Sequence, residues 1–185
     1  MKMTLILINY VFCINVFELE ITTAMKNIKI EIKWAAIFVL MMLAWMVLEK
    51  SLGYHDEKIG DHPTFTNFFA IPAIAIYIFA LLDKRRNFYH GMMSYYQGFM
   101  AGLVMTLIVA ILSPLSQYIT SEFITPEYFP NVITYTVNKG EMTQEEAESY
   151  FNLKSYMLQS AVGALIMGVA TSAVVAVFLK SKSRT

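Results

Sequence analysis

Four stretches of this chain are long and apolar enough to approach or complete a membrane crossing, and no other feature limits its possible folds as tightly. A helix needs about 20 mostly apolar residues to cross the hydrocarbon layer. The stretches run over about residues 34–48, 67–82, 98–119 and 158–179. The first is short, but Lys33 and Lys50 at its ends can extend their stems along apolar surface and lengthen it. Pro72 falls in the first turns of the second, where a missing N–H costs little. None of the four carries an acidic or basic residue at its middle. Composition agrees. Hydrophobic residues make up 57% and charged residues 15%, against about 45–50% and 25% in soluble domains.

Charge sets the expected orientation. Lys26, Lys29 and Lys33 precede the first stretch, Lys84, Arg85 and Arg86 follow the second, and Lys180, Lys182 and Arg184 follow the fourth. With four crossings all three clusters fall on one side, which the positive-inside rule makes cytoplasmic. Most of the acids fall on the other side, among them Asp56, Glu57, Glu122, Glu127 and Glu145. The expectation is a multi-pass protein of the inner (cytoplasmic) membrane with both termini in the cytoplasm. The net charge of zero supplies no field to attract nucleic acid.

Residues 1–24 stand apart. Their apolar run ends in acids and could be taken for a signal peptide cleaved after Ala24. Cleavage there would leave the following lysines outside, against the charge bias. The preferred reading is an extension, a start-site artefact or a loosely held tail, with an interfacial helix or an extra span as the alternative. Residues 25–185 are then a single four-helix transmembrane domain. Cys13, the one cysteine, can form no internal disulfide.

Two segments lie on the outer side. Residues 52–66 form a polar, turn-rich loop, in which His55, Asp56, Asp61 and His62 are weak candidates for holding a divalent metal. Their spacing matches no helical ligand pair, and such loops are usually solvated, so no cofactor is expected. Residues 120–157 predict structure of their own. Pro130 can open a helix with Val132, Ile133, Thr136 and Val137 on one face, and Gly140 ends it. Thr143 and Glu146 then read as a capping box for a second helix, one that can run on into the fourth stretch. The pair predicts a helical hairpin lying on the membrane as a cover, or a lid or docking surface. The fold class is therefore an all-α membrane protein: four transmembrane helices with an extracytoplasmic helical hairpin between spans three and four.

Spans three and four carry small residues every fourth position: Gly98, Gly102, Thr106 and Ala110 in one, Ser160, Ala164, Gly168 and Ser172 in the other. Residues four apart share a helix face. In lipid, such grooves associate through close backbone contact. They predict packing of the two helices on each other or, alternatively, dimerisation. Ser113-Pro114 should bend the third span.

Catalytic motifs are missing from the sequence: it has no nucleophile elbow, no phosphate loop and no paired-histidine zinc motif on a helix. Without an ionisable group at mid-membrane, a pump or proton-coupled carrier is disfavoured. The reading is a non-enzymatic scaffold or partner-binding protein, with a small oligomeric carrier or channel as the alternative. Its partners would be the lipid bilayer and a membrane protein or a second copy.

The segments TNFFAIPAIAIYIFALLDKRR (66–86), YQGF (96–99), LSPLSQYI (112–119), ITPEYFPNVI and GEMTQEEAESYFNL resemble the domain of unknown function 4199 family of bacterial membrane proteins. The resemblance covers about residues 25–180. It implies a small inner-membrane protein and brings no catalytic signature and no substrate.

Overall fold

The computed structural model describes residues 28–181 and is all-α, with no strand among them. Helix α1 is Lys29–Ser51 and the short α2 is His62–Thr66. Helix α3 is Ala70–Asn87, α4 is Tyr95–Ile119 and α5 is Tyr128–Asn138. Helix α6 is Gln144–Tyr150 and α7 is Leu153–Leu179. Residues 1–24, with Cys13, and the lysine and arginine of residues 182–184 lie outside the described part. Four helical runs are long and apolar enough to cross a membrane: Lys29–Ser51, Ile59–Asn87, Tyr95–Ile124 and Leu153–Leu179. Each is longer than the apolar core read from the sequence, because its polar ends remain helical.

Local chemistry explains the boundaries. Ser94 caps α4 and forms a reciprocal pair with Gln97. The chain runs helically through Pro114 and widens into a π-type turn at Thr120–Ile124. A second reciprocal cap, Thr143 with Glu146, opens α6. This helix does not continue into α7: the chain extends at Asn152, whose side chain accepts from the Ser155 N–H and starts a new helix. Nor does Pro130 open α5, which begins two residues earlier at Tyr128. Gly140 follows α5 with φ +72°, a conformation that glycine adopts without steric cost. The stretch 52–66, expected as loop, is helical from Ile59 onward, with Pro63 in the first turn of α2.

Small residues line much of the α4–α7 contact. A Cβ added to Gly98 would come within 3.4 Å of Ala176 Cβ, and one added to Gly102 within 2.5 Å of Ser172 Oγ. One added to Gly168 would stand 2.5 Å from Thr106 Cγ2 and 2.7 Å from the Tyr77 hydroxyl. The pairs step by one turn in opposite directions, so the helices are antiparallel and in register. Tyr77 joins α3 to this seam through a 2.8 Å hydrogen bond with Thr106. Thr106 and Ser172 satisfy their hydroxyls on the carbonyls of Gly102 and Gly168. Met105, Val109 and Leu81 fill the adjoining core.

One end of the bundle is basic. There Lys84 forms a buried 2.8 Å ion pair with Glu31, and Lys33 pairs with Asp83. Arg85 donates to the carbonyls of Gly91 and Leu179, tying the end of α7 to the α3–α4 connection.

Candidate functional site

At the opposite end, a carboxylate is closed inside the protein. Glu49 sits in the last turn of α1 with its side chain 0% exposed. Burying an ionised carboxylate is costly unless it is paired and hydrogen-bonded, and the surrounding segments meet that requirement. Trp45, one turn earlier, donates its indole N–H to Oε1 at 2.7 Å. Thr66 donates to the same oxygen at 2.5 Å. The second oxygen, Oε2, faces two imidazoles: His55 Nε2 and His62 Nε2 each lie 3.2 Å away.

The backbone brings these groups together by folding back on itself. Gly53, at φ +81°, reverses the chain after α1, and the N–H of Tyr54 bonds back to the carbonyl of Glu49. His55 follows in that turn and is buried. His62 opens α2, with Thr66 one helical turn on, so both reach the same carboxylate. Tyr128, at the start of α5, closes the far side: its hydroxyl lies 3.3 Å from His62 Nδ1, and its ring is 5.3 Å from that of His55. Asn131 holds the turn by donating to the His55 carbonyl at 3.1 Å. Tyr135 packs so closely over Gly60 that a Cβ there would lie 2.1 Å from its hydroxyl. Helix α5 is thus docked onto the histidine segment. Burial, its largest influence, raises the Tyr128 hydroxyl above the usual phenol range, so it stays a neutral hydrogen-bonding group.

The four candidates drawn from the sequence separate. His55 and His62 enter the cluster, whereas Asp56 and Asp61 are exposed, and the carboxylate at the centre is Glu49. That residue stands at the end of an apolar helix and looked like an ordinary flanking charge. The only hint was that Trp45 and Glu49 are four apart, hence on one face. Glu49, His55 and His62 offer ligand atoms that all lie within 4.8 Å of one another.

Beside the cluster, a crevice of about 450 Å³ enters the bundle from the side. Thr66 belongs to both. From Thr66 and Asn67 the crevice descends between Phe38, Ile74 and Met167 to Tyr77 and Gly168. Ile74 and Met167 at its rim are exposed, so it opens on the bundle surface. Ser160 and Ala164, half-buried, line it together with Ser113. Of the small-residue positions, Gly98, Gly102, Thr106, Gly168 and Ser172 sit in the closed seam, and Ala110 is buried as well. Gly168 stands where seam and crevice meet.

A family model described as "Protein of unknown function (DUF4199)" matches residues 33–181. No curated protein and no solved structure matches the chain.

Proposed function

The chain belongs to the DUF4199 family of proteins of unknown function, and on that premise we propose that it is a non-enzymatic, multi-pass protein of a bacterial inner membrane that binds a membrane lipid. The observation that carries this reading is the crevice. Its volume of about 450 Å³ falls within the 300–1,000 Å³ typical of ligand sites. Its walls are mostly apolar, and Thr66 and Asn67 sit together at the end next to the Glu49 cluster. That arrangement suits a hydrocarbon chain with its polar end near the bundle's non-basic face. The opening lies between the spans, where lipid chains are already present at high concentration.

Orientation follows from charge. The end carrying Lys33, Lys84, Arg85 and Arg86 is assigned to the cytoplasm, with both chain termini. Helices α5 and α6 then form an extracytoplasmic hairpin, and the Glu49 cluster lies under it on the outer side. The exposed side of this hairpin is the surface left for a membrane-protein partner or a second copy. The alternative of an oligomeric carrier or channel has less support: Tyr77, the Thr106–Gly168 contact and the buried Leu81 and Met105 fill the centre of the bundle toward its basic end.

Gly163→Leu tests the binding. A Cβ at Gly163 meets nothing within 4 Å, and the residue lines the crevice, so the larger side chain fills the space without prising helices apart. Lipid retained per chain after detergent purification, measured by mass spectrometry, should fall several-fold in this variant. It should stay unchanged in Val177→Leu, on an exposed face of α7. Equal retention in all three proteins refutes lipid binding in the crevice. Solute or ion flux in liposomes clearly above empty vesicles would favour the carrier.

A further inference from the structure

We propose that Glu49, His55 and His62 form a binding site for one divalent transition-metal ion of the zinc class, with an open coordination position. This inference does not depend on the lipid reading. It begins from a charge imbalance. Glu49 is fully buried, and its side-chain partners are Trp45, Thr66, His55 and His62. No lysine or arginine is among them. A metal cation held between the three groups would supply the counter-charge that no basic side chain provides.

Distances come first. Zinc binds histidine nitrogen and carboxylate oxygen at about 2.0–2.1 Å in a tetrahedral shell, whose edges are then about 3.3 Å long. Glu49 Oε2 lies 3.2 Å from Nε2 of His55 and 3.2 Å from Nε2 of His62. Two edges of such a shell are therefore already set, and all three donors are within 4.8 Å of one another. Two imidazoles and one carboxylate are a donor set that zinc takes in open, three-ligand sites.

The supporting contacts point the same way. A ligating histidine usually donates its other N–H to an oxygen, which fixes the tautomer. The Tyr128 hydroxyl stands 3.3 Å from His62 Nδ1, where it can accept that N–H once a metal ion replaces the Nε2 proton that faces Glu49 and Thr66. His55 Nδ1 is buried with no hydrogen-bond partner among the described residues, so its ring is held by the contact of Nε2 with Glu49, where a metal ion would take the place of the Nε2 proton. On the carboxylate, Trp45 and Thr66 both donate to Oε1. The oxygen that faces the imidazoles is left to the metal. Burial beneath α5 makes the site shielded, unlike a scatter of surface histidines.

The test uses the full chain without a histidine tag, purified in detergent, stripped with a chelator and re-equilibrated with Zn²⁺. Elemental analysis after gel filtration should give one zinc per chain. Co²⁺ in place of zinc should show the intense visible bands of a four-coordinate centre, abolished by added zinc. Glu49→Gln and His62→Gln should lower zinc affinity by more than tenfold, and Tyr128→Phe by roughly 10–100-fold, as supporting contacts commonly do. His90→Gln and Asp61→Asn, which alter groups outside the cluster, should bind as the parent does. The parent protein alone can decide the matter if a variant fails to fold. Retention below a tenth of an equivalent, or a weak six-coordinate cobalt spectrum, overturns the proposal and leaves a hydrogen-bonded cluster that holds no metal. Undiminished binding by well-folded Glu49→Gln overturns it equally.

Discussion

Thr106 and Gly168 meet where α3, α4 and α7 come together, and the absence of a side chain at 168 permits the contact. A Cβ there would lie 2.5 Å from Thr106 Oγ1 or Cγ2, to within a tenth of an ångström, and 2.7 Å from the Tyr77 hydroxyl. Gly168→Leu must therefore separate three helices and disturb the Tyr77–Thr106 hydrogen bond. Overpacking of this kind costs about 1–3 kcal/mol. Val169 is 37% exposed, and Val169→Leu should be close to neutral. Thermal unfolding in detergent measures both. A folded Gly168→Leu protein that has changed only from dimer to monomer would move this glycine from an internal seam to an external one. Parent-like behaviour of both variants would remove the seam from the account altogether.

The spans were legible because hydrophobicity and length act along the chain, and so does the four-residue spacing that puts Gly98, Gly102 and Thr106 on one face. The cap at Thr143 was legible for the same reason: both partners lie within one helical turn. The site was only half legible. Its histidines stood in a polar segment and could be picked out, but the acids nearest to them in sequence, Asp56 and Asp61, point to solvent. The acid that meets them, Glu49, comes from a different element, and the tyrosine that backs His62 is 66 residues further on. Pairings of that kind depend on the reversal at Gly53 and on the docking of α5, neither of which a linear pattern encodes. The crevice was illegible too. Ser160 and Ala164 repeat the spacing of Gly168 and Ser172, yet they line the crevice rather than the closed seam.

The charge asymmetry predicts which residues are reachable from outside. With Cys13 replaced, single cysteines at Asp61 and Asn138 should react with an impermeant thiol reagent on intact cells. Cysteines at Asn87 and Ser183 should react only after permeabilisation. Asp61 and Asn87 are exposed and stand at opposite ends of the second helical run, so this pair alone discriminates. The reversed labelling pattern would refute the assignment of the basic end to the cytoplasm.

The α6 cap should respond to pH. The backbone and side chain of Thr143 both bond the Glu146 carboxylate and hold it below the usual Glu range. A depressed folded-state pKa means that this stabilisation is present above the ordinary Glu pKa. It is lost as pH falls from there through the depressed value. Because Glu146 is exposed, the effect should stay local to Gln144–Tyr150. Amide exchange in that helix, compared with α7 under the same conditions, should speed up selectively in acid once corrected for intrinsic rates. Thr143→Ala should produce the same loosening at neutral pH, at about 1 kcal/mol for a lost N-cap. An α6 whose protection is indifferent both to acid and to Thr143→Ala would show that packing of Ala147, which is fully buried, holds the helix without its cap.

Glu49 separates two costs that are easily confused, that of a missing charge and that of a missing acceptor. Glu49→Leu removes both oxygens. The Trp45 indole N–H and the Thr66 hydroxyl then lose the acceptor they share, and the two imidazoles lose the group they face. Breaking a buried network by removing its central partner costs about 3–5 kcal/mol. Glu49→Gln retains one carbonyl oxygen, which can take the Trp45 and Thr66 bonds, and should cost less, about 1–3 kcal/mol, for the unsatisfied contact that remains. Thr66→Val removes one donor from an oxygen that keeps its bond from Trp45, together with the 3.2 Å contact to His62 Nε2, and about 1–2 kcal/mol is expected. The series should be measured by thermal unfolding on chelator-treated protein, so that no metal contributes to any member. The predicted order of stability is parent, Thr66→Val, Glu49→Gln, Glu49→Leu. Adding zinc should then stabilise the parent and leave Glu49→Leu unmoved, because a ligand stabilises only a fold that binds it. If Glu49→Leu proves as stable as the parent without metal, the buried carboxylate is not supporting the α1–α2–α5 junction. Its burial would then add nothing to the stability of the fold, as expected of a group kept for what it binds.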